Sequence, residues 1–167
     1  MEDTVPARIH RYATDLEWTG NTGTGTSSYR SYDRAHVVTG SGDKPAIAGS
    51  SDASFRGDRS RWNPEELLVA SLSACHLLQF LHRAAMAGVV VVAYSDHASG
   101  IMEETPDGGG RLSEVVLRPD VAVLSADMAA HCDDVHDQAH RLCFIANSVN
   151  FPVRHVPSVT VVDSAAG

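Results

Sequence analysis

Asn63-Pro64-Glu65-Glu66-Leu67-Leu68-Val69-Ala70-Ser71-Leu72-Ser73-Ala74-Cys75-His76-Leu77-Leu78-Gln79-Phe80-Leu81-His82-Arg83-Ala84-Ala85-Met86-Ala87-Gly88 is the stretch whose reading decides the fold. Its start carries the local signals of a helix N-terminus. Asn63 suits the cap position. Pro64, at the first helical position, lacks only an N–H that would find no partner there. Glu65 and Glu66 lie at the positive end of the helix dipole. Gly88 is a natural stop, so a helix is expected from Pro64 to Ala87. With Cys75 set at zero on a helical wheel, Leu68, Ser71, Gln79, His82 and Met86 fall within about 40° of it. Ala70, Leu77 and Ala84 lie on the opposite side. A helix apolar nearly all round is expected between layers rather than on a surface.

Working outward, the residues before this helix read as β-structure. Tyr12 to Trp18 alternates, Gly20-Asn21-Thr22-Gly23 is a turn cluster, and Thr24 to Tyr32 and Ala35 to Thr39 carry strand-forming residues. From Gly40 to Trp62 the chain is rich in Gly, Ser, Asp and Arg and reads as a long loop with a short strand near Ile47. After the helix, Val89 begins a strand expected to run through Glu103. Pro106-Asp107-Gly108-Gly109-Gly110 turns it, and Leu112 to Leu124 returns as its hairpin partner. Ala126 to Val149 is expected to be a second helix and Val153 to Val162 a closing strand. The order predicts an α+β fold with a largely antiparallel sheet and two long buried helices.

Length and composition set the bounds. The chain has 167 residues, suiting one domain over positions 1–167 with a core from about 12 to 162. Its formal net charge of −8 argues against nucleic acid or an anionic membrane surface as a partner. Three cysteines are too few for a disulfide scaffold. The start, Met1-Glu2-Asp3-Thr4-Val5-Pro6, lacks a signal-peptide pattern, and the apolar runs fall short of a membrane span of about 20 residues. A cytoplasmic protein is expected, whose cysteines matter as thiols if they matter at all.

The thiols sit on the two helices. Cys75 shares its face with Ser71, Gln79 and His82. A second helix wound from Cys143 gathers Met128, Cys132, Val135, Ala139, Leu142 and Ala146 on one apolar side. Free cysteine is among the most buried residue types, so a structural role for each is the default from composition alone. The spacing of Cys132, His136 and His140 also offers a soft metal site. However, His140 lies about 80° round the wheel from Cys132, so a solvated helix edge with titrating histidines is the better account. Neither a metal nor a cofactor is expected.

The run from Asn63 to Cys75 resembles the N-P-E-E/Q-L…A-C motif of the OsmC/Ohr family, the osmotically inducible and organic-hydroperoxide-resistance proteins, with the same separation of Asn and Cys. Ala139-His140-Arg141-Leu142-Cys143 is similar to the family's A-H-x-x-C. The element order agrees over nearly the whole chain. The resemblance implies an intertwined homodimer with two sites at its interface. It also implies a thiol peroxidase acting on organic hydroperoxides, in which Cys75 is peroxidatic and Cys143 resolves it. A dithiol, such as a lipoyl group, would reduce the resulting disulfide. The family places a Glu and an Arg beside the first cysteine; Glu65 matches the Glu, and Arg56, in Ser54-Phe55-Arg56-Gly57-Asp58-Arg59, is the choice for the Arg. Gly20-Asn21-Thr22-Gly23 holds no Arg, which favours the OsmC-like side of the family. Where the family often has Pro after its second cysteine, this chain has Phe144-Ile145-Ala146-Asn147, so the helix is expected to continue past Cys143. The same scaffold also admits a small-molecule-binding or redox-sensing protein with little turnover.

Overall fold

A computed structural model describes residues 8–162; the stretch Met1 to Pro6, read for a targeting signal, lies outside them. The chain divides into two compact units that meet between Pro64 and Glu65.

The first unit is built on an antiparallel sheet of β1 (Thr14–Trp18), β2 (His36–Gly40) and β3 (Ile47–Gly49) in that order. Leu16 faces Val38 and Trp18 faces His36 in its register. The expected strand from Thr24 to Tyr32 does not form. Its serines bond locally instead of joining a ladder: the Ser31 hydroxyl accepts from the Ser28 N–H and donates to the Gly25 carbonyl. Asn21 Oδ1 accepts from the N–H groups of Gly23 and Gly25, and Gly25 takes a left-handed φ of 55° that a side chain would resist. The segment between β1 and β2 is therefore a structured loop rather than a tight hairpin. A further short turn, Ala53–Phe55, is capped by the Asp52 side chain.

The second unit contains almost all of the long helix, α1 (Pro64–Met86). Only one stripe of it is buried, Leu72, His76, Phe80 and Ala84, at successive i, i+4 positions. Leu78 on another face is 67 % exposed, so within one chain the helix is not covered all round as its composition suggests. It ends as expected: Gly88 adopts φ 72°, and the Val89 N–H returns to the Ala84 carbonyl. By length and composition α1 is apolar enough to cross a membrane, the single such helix among the described residues. The buried stripe is instead packed in protein.

The expected long hairpin is present but bent. Its first strand divides into β4 (Val91–Asp96) and β5 (Ser99–Glu104), and its second into β6 (Gly110–Leu117) and β7 (Pro119–Val123). The corner is fixed by hydrogen bonds, because Asp96 Oδ1 accepts from the Arg118 N–H and the His97 N–H donates to the Arg118 carbonyl. Asp96 also accepts from the Ser73 hydroxyl of α1. The expected closing strand divides in the same way into β8 (Val153–His155) and β9 (Ser158–Val161). Two three-stranded sheets result, β4-β7-β9 and β5-β6-β8, each with one antiparallel and one parallel pair. The parallel pairs are possible because the helical segment after β7 supplies the crossover.

That helical segment is the second departure. The expected single helix from Ala126 to Val149 is two, α2 (Ala126–Ala130) and α3 (Cys132–Leu142), separated at His131. Cys143 follows with extended backbone, and a short turn over Ala146–Ser148 comes next. The break changes the inward face of α3 to Cys132, Val135, His136 and Ala139 and leaves Leu142 47 % exposed. One core joins Phe80 and Ala84 to Val121, Val123, Cys132 and Val135; another joins Leu72 to Leu112, Val115 and Leu117. Phe80 is fully buried in the first. Phe80→Ala is expected to cost about 3–5 kcal/mol in a denaturant titration, while Glu104→Ala on the exposed hairpin stays within about 0.5 kcal/mol. Equal losses would contradict this core.

Candidate functional site

His76 lies between Leu72 and Phe80 on the buried stripe of α1, and only 1 % of it is exposed. Its Nε2 shares a hydrogen bond of 2.9 Å with Nδ1 of His136, which α3 presents fully buried. The two rings lie within 2° of parallel with centroids 5.2 Å apart, and Phe80 stacks on His136 at 4.0 Å. Nδ1 of His76 and Nε2 of His136 have no hydrogen-bond partner. The His155 ring, on β8, stacks 5.5 Å from His76 and is hydrogen-bonded through Nε2 to Asp137 at 3.1 Å. His140 completes the group, 5.3 Å from His155.

Burial dominates the electrostatics here. It pushes the His76 imidazole down to about 4 and that of His136 to about 3, with repulsion from neighbouring imidazoles adding to the effect. Burial likewise lowers His140. The folded state therefore binds fewer protons than the unfolded chain once pH falls below the ordinary histidine value of about 6.5.

The same two helices bring the thiols together. Cys75 is half-buried on α1, one residue before His76. Cys143 is 1 % exposed, immediately beyond the last turn of α3, with its N–H bonded to the His140 carbonyl. Burial first, and the neighbouring Cys75 side chain second, push the Cys143 thiol up to about 11. Its sulfur also accepts from the Ala146 N–H at 3.5 Å. The helix does not continue past Cys143 as expected, and the extended backbone at that residue lets the chain turn away beneath the sulfur.

Of the other expected site residues, Glu65 does not stand beside this pair within one chain. Glu65 is half-buried in the first turn of α1, ten residues before Cys75, or about 15 Å along the axis. Arg56 belongs to the first unit, where it has a left-handed φ of 67°. His82, on the Cys75 side of the wheel, is exposed rather than packed. Cys132 is buried, and its thiol bonds to the Met128 carbonyl at 3.4 Å. No group of three or more His, Cys, Asp or Glu among the described residues is arranged to hold a metal ion. Cys132, His136 and His140 instead turn to three different neighbours, and the helix edge read as solvated holds the fully buried His136. Sequence reasoning missed the His76–His136 pair. The signal was the i, i+4 run of Leu72, His76, Phe80 and Ala84, which outranks the face centred on Cys75.

Comparison with known proteins places the fold in a family. The family model for OsmC-like proteins matches residues 57–156. The chain belongs to that family. An OsmC-like protein of unknown function from Vibrio cholerae is 30 % identical with a TM-score of 0.80, covering 90 % of this chain and all of its own. Two more distant structures share the fold. An OsmC-like protein from Mycoplasma pneumoniae is 14 % identical with a TM-score of 0.68, covering 92 % of this chain and 99 % of its own. An organic hydroperoxide resistance protein from Elizabethkingia anophelis, with thiocyanate bound, is 18 % identical with a TM-score of 0.65, covering 93 % of this chain and 100 % of its own. No curated protein matches the chain. The OsmC-like match contains Glu65, Cys75 and Cys143 and begins one residue after Arg56.

The histidine pair gives the OsmC-like chain a defined acid response. Stability is fully present above about pH 6.5 and falls as pH drops toward 4, by up to about 1.4 kcal/mol per pH unit for each histidine held neutral. The carboxylates whose pKa values are lowered, such as Asp58 and Asp107, titrate below 3.8 and so lie outside that window. Urea midpoints measured from pH 7 to 4 should decline steadily, and a flat profile would contradict neutral burial.

Proposed function

We propose that the chain is a thiol peroxidase that reduces organic hydroperoxides, with Cys75 as the peroxidatic residue and Cys143 as the resolving one. The observation that carries the reading is that the Cys75 side chain acts directly on the buried Cys143 thiol, which makes neighbours of two cysteines 68 positions apart in sequence. The family includes hydroperoxide resistance proteins, and the half-buried Cys75 is the more accessible member of the pair.

The Cys75 thiolate attacks the terminal oxygen of the hydroperoxide. The O–O bond breaks, the leaving alkoxide takes up the proton that the Cys75 thiol released on ionising and departs as the alcohol, and Cys75 becomes a sulfenic acid. The Cys143 sulfur then attacks the Cys75 sulfur, its proton leaves with the hydroxyl as water, and a disulfide forms. An external dithiol, of lipoyl type, returns both thiols by exchange and is itself oxidised to a disulfide. Cys143 stays protonated until this step, since burial holds its thiol near 11. It therefore waits as a thiol and does not compete for the peroxide.

Glu65 and Arg56 organise the thiolate in this reading, in a cytoplasmic homodimer built from one OsmC-like domain of residues 1–167. Because Glu65 stands about 15 Å from Cys75 along its own helix, the proposal assigns this role to Glu65 of the partner subunit. The exposed apolar side of α1, with Leu78 and Met86, supports such an assembly.

The test is consumption of cumene hydroperoxide with dihydrolipoamide as the dithiol. Wild type should turn over, and Cys75→Ser should fall to background. Glu65→Gln should be slowed, and mixing it with Cys75→Ser should restore activity, because one mixed site receives both native residues. Equal turnover by wild type and Cys75→Ser would end the proposal. No restoration on subunit exchange would place Glu65 outside the site. A single rapid oxidation that no dithiol recycles would favour redox sensing.

A further inference from the structure

A cavity of about 330 Å³ lies wholly within the first unit, lined among others by Asp33, Arg34, Ser50, Arg56, Asp58 and Arg61. Its size falls at the lower end of the range for small-molecule sites. Three guanidinium groups on one small cavity stand out in a chain whose net charge is −8.

Each arginine is held differently. Arg34 is fixed: its guanidinium lies 4.3 Å from the ring centroids of both Tyr29 and Tyr32, and it donates to both of their carbonyls. It contributes a positive charge that cannot move away. Arg61 is half-buried, and its Nε lies 3.7 Å from Asp58 Oδ2. Its Nη1 is buried without a hydrogen-bond partner. A buried guanidinium N–H with nothing to donate to is costly unless a ligand supplies the acceptor. Arg56 is exposed, and it is the one described residue other than glycine with a positive φ. That conformation is built in. Gly57, which follows it, packs against the preceding loop so closely that a Cβ there would meet the Ser51 carbonyl oxygen at 1.5 Å, while the Gly57 N–H bonds to the Asp52 carbonyl. Non-glycine residues held in this region cluster at sites of function.

The acids on the same cavity select the ligand's charge. Asp33 and Asp58 offset two of the three arginines. Hydrogen bonds from the Ser60 hydroxyl and N–H hold the Asp58 carboxyl below its usual range, so it stays ionised. One net positive charge remains, which suits a monoanion and disfavours a phosphate dianion. A planar carboxylate matches the two-pronged donor geometry of a guanidinium.

We propose that this cavity binds a small monocarboxylic acid, its carboxylate held by Arg61 and Arg56 beside the fixed charge of Arg34. The site lies in the first unit and shares Arg56 with the thiolate role proposed above, whereas Arg34 and Arg61 take no part in that chemistry.

Both tryptophans report on it. Trp18 Nε1 donates to the Asp33 carbonyl, and Trp62 follows Arg61 in sequence. Intrinsic fluorescence of the full chain is titrated at constant ionic strength with hexanoate, with hexanamide as its neutral counterpart, and with inorganic phosphate. A saturable change with hexanoate is expected, with hexanamide and phosphate weaker by about tenfold or more. Arg61→Gln should weaken hexanoate by about tenfold or more, and Arg61→Lys, which keeps the charge but not the fork, by less. Near-UV circular dichroism checks that the loops persist; if Arg61→Gln disturbs them, Arg56→Gln carries the same expectation from an exposed position. Cys75→Ser should bind as the wild type does, so the outcome stands apart from the peroxidase reading. Hexanamide or phosphate binding as tightly as hexanoate, unchanged binding in a folded arginine variant, or no saturation with hexanoate would each overturn the proposal.

Discussion

A hydrogen bond of 2.9 Å between two buried imidazoles, His76 Nε2 and His136 Nδ1, joins α1 to α3. Phe80 stacks on one side of it, and His155 of β8 lies against the same pair. The pair ties together three elements far apart in sequence and fixes how α1 and α3 meet. Since both rings have lost their water, the contact is favourable only while they remain uncharged. The second unit thus has a polar connection at its centre that tolerates neither a gap nor a charge.

That connection also determines where the thiols lie. Cys75 precedes His76 by one residue, and Cys143 follows the helix that carries His136. Helices are rigid over such distances, so docking α1 on α3 carries the sulfurs along. The α3 helix must also stop at Leu142. Were it to continue, Cys143 would follow the wheel onward, and its N–H would not turn back to the His140 carbonyl as it does. The chemistry proposed for the pair needs both conditions: two neighbouring cysteines, with one accessible and the other retained as a thiol by burial.

Much of this was legible in the sequence. Asn63 to Glu66 and Gly88 delimit α1 by local physics alone, and the two cysteine motifs, taken together, identify the family. Other features depend on contacts that no local pattern records. The bend of the hairpin at Arg118 arises from hydrogen bonds to Asp96 and His97, which only the folded corner brings close. The Thr24–Tyr32 segment has the composition of a strand, but its serines find nearer partners than a ladder would offer. His136 resembled a solvated residue because charged neighbours flank it, and only the break at His131 sets the phase that turns it inward. The expected neighbourhood of Glu65 and Cys75 was read from a motif, whereas a helix of fixed rise separates them by about three turns.

The central claim is that the fold brings Cys75 and Cys143 together as a reactive pair and leaves Cys132 apart. Peptide mapping by mass spectrometry, after one equivalent of cumene hydroperoxide and alkylation of free thiols, tests it most directly. The account predicts a Cys75–Cys143 disulfide with Cys132 alkylated. Recovery of alkylated Cys143 beside over-oxidised Cys75, or a disulfide that includes Cys132, would contradict it.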